Sequence, residues 1–306
     1  MEVRANRIIS LMFALIFAFH TQIAFAAMSS TNYQIQWDEF SSGGGNSSSA
    51  SYTLRDSVGA SSADGRTSSG SYSVDQGFRA GLYDQVVDFI PYVEDRSTQV
   101  AATAFSTNTV SVTTAAGFAV GDWIVIVRDE GASQEAAMGQ ITGIFGTDIV
   151  IRSNYSGTAP VIDGTNDRVY KMSQTASNTM GSLASFVVST QIVGWVASAD
   201  VSQGFGVYAF TDGDLRSGGD SIPAVSDGSV TAGFSEYGAR SSDATLSTST
   251  FDTQDTALTE SPALVGSAAS SAIVNSGFLT LKASISSSQA GGSYSQMLTT
   301  IFVGDY

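Results

Sequence analysis

The chain has 306 residues, with 13 Lys and Arg against 28 Asp and Glu, so its net charge is −15 although only 13% of its residues are charged. A negative, weakly charged surface repels nucleic acids and anionic lipid headgroups, and we therefore exclude both as partners. The chain contains no cysteine, so disulfides are excluded and stability must come from a buried apolar core.

The N-terminus has the pattern of a secretory signal peptide. Arg4 and Arg7 give a basic start, residues 8–19 form an apolar run, and Ala26 ends a small-residue cleavage site. The run is too short to span a membrane as an ordinary helix. We expect residues 1–26 to be removed and the mature chain to be secreted, either to the cell surface or outside the cell, with no transmembrane span.

A serine-tyrosine-aliphatic phrase recurs in the region that follows. Tyr33, Tyr52 and Tyr72 each stand two residues before an aliphatic residue, which places both side chains on one face of a strand. We interpret residues 27–97 as a Ser/Gly-rich region of strand repeats that ends in a connector at 85–97. The alternative is a disordered Ser/Gly linker with scattered tyrosines.

A compact module of short strands is predicted over residues 98–172, with Lys171 as an outward solubilising charge. Five strands in this length favour a small β-barrel or roll. The predicted strands are 109–113, 122–128, 138–144, 147–152 and 167–172.

Residues 173–306 are predicted to form an antiparallel β-sandwich. The segment 278–285 alternates, with Leu279 and Leu281 facing the core and Lys282 facing solvent. After a Gly-rich turn, 293–303 is expected to pair with this segment as a hairpin.

Two further segments are predicted as central strands of the sandwich, 192–198 and 204–210, because they carry bulky β-forming residues. Trp195 lies in the first and is expected in the core. Residues 261–276 are interpreted as a loop with a helical turn. The mature chain as a whole is therefore predicted to be all-β.

Two stretches resemble known surface proteins. The phrase SSGSYSVDQGFRAG (68–81) looks like the N-terminal region of uncharacterised secreted bacterial surface proteins with Ser-x-x-Tyr-x-Leu repeats. Residues 203–239, with the closing strand at 293–303, are similar to a C-terminal β-sandwich that is loosely like WxL-type envelope domains. None of the three tryptophans is followed by x-Leu, which departs from that signature. The resemblance implies a cell-surface role and supplies no catalytic residues.

The residues available for catalysis are few. His20, the only histidine, leaves with the signal peptide, so triads that need an imidazole and most zinc sites are excluded. Glycoside cleavage by two carboxylates remains, with Asp38 or Glu39 as one partner and Glu130 or Glu236 as the other. The alternative is that these acids are solvated surface groups. We expect no enzymatic activity.

A Gly-rich acidic loop is the best candidate for a metal site. Asp212, Asp214 and Asp220 lie together in TDGDLRSGGD (211–220), and calcium prefers several oxygen ligands on a flexible loop. The spacing departs from an EF-hand, and Asp and Gly also form ordinary hairpin turns. We expect no cofactor, with calcium as the one candidate ion.

Aromatic residues could mark a carbohydrate site. Trp37 stands among polar residues and is the candidate for stacking on a sugar, whereas the other aromatic residues are expected to fill cores.

These features predict a non-catalytic exported protein with a structural or adhesive role in a cell-surface layer, appendage or attachment device. Its partners would be other surface proteins or glycans, with self-assembly through strand pairing as a further expectation. The alternative is a carbohydrate-binding protein, and a glycoside hydrolase with paired carboxylates comes third.

The signal peptide gives a direct prediction. Expressed in its native host, the protein should lose residues 1–26 to a signal peptidase, and N-terminal sequencing of the mature product should begin at Ala27. A product that keeps Met1 and stays inside the cell would contradict export.

Overall fold

The computed structural model describes residues 87–175, 179–201 and 203–305, together with the backbone of four short strands nearer the N-terminus. It divides into two compact units, 1–84 and 85–306. The described residues are 53% strand and contain no helix, so the all-β prediction is confirmed. Accordingly, no helix suited to crossing a membrane occurs among them. The predicted signal peptide and the three repeat tyrosines lie outside the described residues.

The N-terminal unit contains two antiparallel ribbons of two strands each. The first pairs β1 (Gly43–Ser48) with β2 (Thr53–Val58). The second pairs β3 (Gly65–Ser68) with β4 (Ser73–Gln76).

The C-terminal unit begins with a closed ring of six strands. Pairing runs β5-β6-β9-β8-β7-β11 and returns from β11 to β5, so this small barrel leaves no free edge within the ring. A short strand, β10, adds to β8. The strands are β5 (Val87–Ser106), β6 (Thr109–Val112), β7 (Trp123–Arg128), β8 (Glu135–Phe145), β9 (Asp148–Ile151), β10 (Ser156–Gly157) and β11 (Arg168–Ser173).

The barrel strands agree closely with those expected from the sequence. Each of the five predicted segments between 109 and 172 overlaps one strand of the ring. Residues 87–97 differ from the expectation, because they belong to the 20-residue strand β5 rather than to an irregular connector. Alternating aliphatic side chains fill the interior, and those with no more than 1% exposure include Val110, Ile124, Ile126, Ile141, Ile149, Ile151 and Val169.

The rest of the unit extends the same sheet and adds a second one. From β5 the large sheet continues through β12 and β18 to β16, while β13 lies between β17 and β19 in a separate sheet of three strands. A small ribbon pairs β14 with β15. The strands are β12 (Ser189–Ala199), β13 (Phe205–Thr211), β14 (Leu215–Ser217), β15 (Asp220–Ile222), β16 (Glu236–Ser241), β17 (Ala263–Ala268), β18 (Ala272–Ser284) and β19 (Leu298–Gly304).

A common apolar core joins the two sheets. Trp195 and Leu279 of the large sheet pack in one buried cluster with Phe205, Val207 and Val265 of the small sheet. The predicted sandwich and the core position of Trp195 are thus present in the structure.

Two local predictions are wrong. The segment containing β18 does not form a hairpin with β19: β18 pairs with β12 and β16, whereas β19 pairs with β13. Residues 261–276 form β17 and the beginning of β18 instead of a loop with a helical turn. Adjacent strands in a sandwich often belong to different sheets, and alternation alone does not identify the partner.

Lys282 also differs from its prediction as a solvent-facing charge. Its Nζ lies 2.8 Å from Oδ1 of Asp255 and donates to the carbonyl of Ala132 at 3.0 Å. Both side chains of the ion pair are only 6% exposed, because a barrel loop covers that face of β18. Each charge is tolerated there only because the other is present.

Lys171 is half-buried and pairs with Asp122 at 2.8 Å.

A second buried polar network lies where β5 leaves the barrel. The Glu94 carboxylate accepts a hydrogen bond from Ile192 N–H at 2.9 Å and lies 3.3 Å from Nε of Arg96. Arg96 also pairs with Glu130 at 2.8 Å, and Tyr170 donates to Glu130 at 3.0 Å. Burial raises the pKa of Glu94 to about 7, and this effect outweighs the opposite influences of Arg96 and the Ile192 N–H.

This pKa predicts a pH-dependent stability. The pKa of the Glu94 carboxyl is higher in the folded protein than its ordinary value of 4.5, so the stability it contributes is complete below pH 4.5 and is lost as the pH rises through about 7. The loss should be roughly 3 kcal/mol at about 1.4 kcal/mol per pKa unit. Urea unfolding at pH 5 and pH 8 should show a smaller decline for Glu94→Gln than for the wild type.

Glu260→Gln, which changes an exposed carboxylate, serves as the control and should follow the wild type. Equal declines for the wild type and Glu94→Gln would contradict the assignment.

Candidate binding cleft

A polar cleft runs along the seam between the barrel and the sandwich. It consists of two cavities of about 400 and 300 Å3, which share Gly157, Ser242 and Ala244 in their walls. Both volumes fall within the range of ~300–1,000 Å3 typical of ligand sites. Because they share these wall residues, the two cavities are neighbours along the seam.

The barrel wall depends on a glycine. Gly157, in β10, has a φ of 85°, and a Cβ at this position would lie 2.3 Å from the carbonyl oxygen of Ala136. Only glycine lets the chain approach β8 so closely. The preceding residue, Ser156, donates from Oγ to the carbonyl of Ser276 at 2.5 Å and so links the barrel wall to β18.

The sandwich wall contains a bulge in β18. Ala197 of β12 faces Asn275, but Ala199 faces Ala272, so β18 carries one extra residue. Val274 adopts a φ of 57°, which is strained for a β-branched residue, and Ile273 is 88% exposed at the rim. A bulge of this kind redirects side chains locally, and here it lies at the mouth of the cleft.

Trp195, in β12, is one of the residues that line the larger cavity. It faces Gly277 across the β12–β18 pair, and a Cβ on Gly277 would lie 2.4 Å from its Cζ2 atom. Gly266 of β17 allows an equally close approach, at 2.5 Å. Trp195 is only 2% exposed, yet its Nε1–H has no acceptor among the described residues. Nε1 is not among the buried side-chain atoms that lack a hydrogen-bond partner, so this N–H reaches the open space of the cavity and can donate to a ligand.

The other polar side chains of the larger cavity differ in whether they already make hydrogen bonds within the protein. The side-chain amides of Asn154 and Asn275 make no hydrogen bond within the described part of the chain. Asp243 is occupied: one carboxylate oxygen accepts from the Thr245 N–H at 2.9 Å and the other from the Ser267 N–H at 2.9 Å. Asp243 therefore holds the wall in place, while the two amides offer both donors and acceptors.

The smaller cavity carries charges of both signs. Arg240 and Asp252 line it, and neither forms an ion pair among the residues that the structure describes. The Nζ of Lys282 is already bound to Asp255 and to a backbone carbonyl. The cleft as a whole suits an elongated ligand with many hydroxyl groups, since planar amides and a guanidinium can bind neighbouring hydroxyls together.

The structure does not bring the three predicted calcium ligands together. Asp212 accepts a hydrogen bond from the Met297 N–H at 2.7 Å and pairs with Arg216; these contacts, the Met297 bond first, hold the pKa of Asp212 below its usual range. Asp214 accepts from the Ala224 N–H at 3.3 Å, whereas Asp220 is exposed in β15. No group of three acidic side chains able to hold a metal ion occurs among the described residues.

Of the remaining predicted site residues, the structure describes Glu130 and Glu236. Trp37, Asp38 and Glu39 lie outside the described residues. Glu130 belongs to the buried network with Arg96, and Glu236 accepts a hydrogen bond from the Thr231 N–H at 2.6 Å.

The amino-acid sequence alone does not reveal that Trp195 lines the cleft. Its core position is predicted correctly, but the sequence does not show that Gly266 and Gly277 lie against its indole. These glycines follow Trp195 by more than 70 positions. Gly277 contacts the indole because β18 pairs with β12, and Gly266 contacts it because β17 packs against β12 in the common core. A glycine inside each of two apolar strands is the one available signal of a close approach.

Comparison of the chain with family models, curated proteins and solved structures finds no match. The interpretation of the cleft therefore depends on its geometry and chemistry.

The acidic loop gives a prediction about calcium. Because the carboxylate of Asp212 is already engaged by Met297 and Arg216, calcium should leave the melting temperature unchanged relative to a chelator. A ligand that binds only the native state at a hundredfold excess over its Kd would add about 2.7 kcal/mol of stability, so a site would be readily seen. A calcium-dependent increase that Asp214→Ala abolishes would contradict this prediction.

Proposed function

We propose that this protein is a non-catalytic, exported surface protein with an adhesive role, and that its cleft holds a neutral polysaccharide chain. The proposal combines the structural or adhesive role expected from the sequence with its carbohydrate-binding alternative. Export is supported by the sequence of residues 1–26, and the ligand class is supported by the cleft.

The observation that carries the proposal is the unpaired indole N–H of Trp195. This donor opens into a cavity of about 400 Å3, where a hydroxyl group of a ligand can accept its hydrogen bond in place of water. The free amides of Asn154 and Asn275 line the same cavity. Together they present several hydrogen-bonding groups to one occupant.

The chemistry of the walls favours a sugar over other ligands. Serine, asparagine and threonine side chains are prominent in the lining, which is unfavourable for an apolar molecule. The net charge of −15 opposes polyanions such as nucleic acids and acidic polysaccharides. A neutral polysaccharide has hydroxyl groups for the amides and apolar ring faces for Tyr155, which also lines the larger cavity.

The positions of the acids support binding rather than cleavage. Cleavage of a glycosidic bond needs two carboxyl groups that flank the substrate. Three acids line the two cavities, Asp243, Asp252 and Glu135. Asp243 uses both oxygens to hold the wall, and Glu135 pairs with Arg128 at 3.2 Å. Among the described lining residues only Asp252 is then an unpaired carboxylate, and one carboxylate does not make a catalytic pair. A glycoside hydrolase is therefore the less favoured interpretation of the cleft.

The proposal predicts specific losses of binding. Affinity electrophoresis of the mature protein through gels that contain neutral polysaccharides should show retardation by at least one of them. Trp195→Phe removes the indole N–H and Asn275→Ala removes a free amide. Each should weaken binding about two- to thirteenfold, the effect of one hydrogen bond worth about 0.5–1.5 kcal/mol.

Trp123→Phe is the matched control, because Trp123 is a buried tryptophan in the barrel and does not line either cavity. It should bind as the wild type does. No retardation by any neutral polysaccharide, or full binding by both cleft variants, would refute the ligand class. Release of reducing sugar from a retained polysaccharide would instead favour the hydrolase.

A further inference from the structure

The three-stranded sheet has one covered edge. Along β17, side chains bond the outward backbone groups: Ser249 donates to the Leu264 carbonyl and Ser241 to the Val265 carbonyl, both at 2.6 Å. The Ser267 N–H donates to Asp243 at 2.9 Å. The β17 edge is therefore closed to a further strand.

The opposite edge, along β19, is open. Asp212 N–H donates to the Met297 carbonyl and Asp305 N–H to the Gly204 carbonyl, which fixes the odd-numbered residues of β19 as those bonded to β13. In an antiparallel pair the backbone groups of the alternate residues point away from the partner. These residues are Leu298, Thr300, Phe302 and Gly304, and no strand or side chain bonds them in the part of the chain that the structure describes.

The sheet around this edge is uncharged and partly apolar. The strands β13, β17 and β19 contain no charged residue, although the chain carries a net charge of −15. On the outer face Ile301 is 39% and Val303 43% exposed, next to the half-buried Tyr208. An approaching copy of the same acidic chain therefore meets no charged side chain on these three strands, which limits the electrostatic repulsion at this surface.

We propose that the β19 edge pairs antiparallel with the β19 edge of a second copy, which gives a two-fold symmetric dimer with a continuous six-stranded sheet. Centred on Ile301, the register pairs Thr300 with Phe302 and Leu298 with Gly304 of the second copy, and each pair exchanges two backbone hydrogen bonds. The covered β17 edges prevent this sheet from adding a further copy, so the assembly it forms closes at two.

The register makes a cysteine test decisive. The two Ile301 residues would face each other as a non-hydrogen-bonded pair with Cα atoms about 4.5 Å apart, a separation that a disulfide can bridge. The chain has no cysteine, so Ile301→Cys introduces a single thiol. Under mild oxidation the full mature chain with Ile301→Cys should become a covalent dimer. Val161→Cys, at a position that is 69% exposed in the same unit, should remain monomeric.

Sedimentation of the full mature chain without a cysteine should show a concentration-dependent dimer. Thr300→Pro removes an N–H that points to the open edge but none that bonds β13, so it should shift the dimer to monomer with little change in melting temperature. Ile301→Lys is the second variant, for use if Thr300→Pro folds poorly. It places like charges opposite each other across the axis and should also shift the dimer to monomer.

Three results would overturn the proposal. The first is a monomer at all concentrations with no faster cross-linking of Ile301→Cys than of Val161→Cys. The second is an assembly larger than a dimer. The third is a monomer in which a thiol reagent cannot reach the thiol introduced by Ile301→Cys, since another part of the same chain would then cover the edge.

Discussion

The C-terminal unit depends on the backbone hydrogen bonding of one long strand. Over its 20 residues β5 pairs with β12 near its start, with β11 in its middle and with β6 at its end. The pairing with β11 closes the barrel, while the pairing with β12 begins the open sheet. The two halves of the unit are therefore held together by main-chain bonds along β5 and by the side chains that pack around it.

The shared strand also explains the buried polar residues and the cleft. Where β5 passes from the barrel to the open sheet, the network of Glu94, Arg96 and Glu130 fills the junction. Beside it the barrel loop at Ala132 covers β18 and receives the buried Lys282. The walls of the cleft come from both halves of the unit. The main-chain hydrogen bonds of β5 that join the two halves therefore also hold the cleft walls in position.

The sequence predicts the strands better than it predicts their partners. Short apolar segments flanked by Gly and Asp identify the barrel strands, because the position of a strand can be predicted from local alternation and from the turn residues at its ends. The predicted hairpin of β18 with β19 is wrong because pairing is decided by long-range packing, here by β12 and β16 on either side of β18. Alternation gives the two faces of a strand but cannot show that a distant loop covers the face that carries Lys282. The cleft could not be predicted for the same reason, since Trp195, Gly266 and Asn154 meet only through tertiary structure.

The pairing of β5 has a consequence for how the chain folds. Val93 is bonded between Ser173 and Val193, so β5 must wait for strands that follow it by 80 and 100 positions. Contacts of such long sequence separation make folding slow. In the meantime an emerging 20-residue strand could pair with another chain. Pro91, which lacks an amide hydrogen, and the charged residues at 94–96 interrupt its apolar pattern and oppose that early pairing. The residues that look least suited to a strand thus protect the chain from aggregation until its partners have been synthesised.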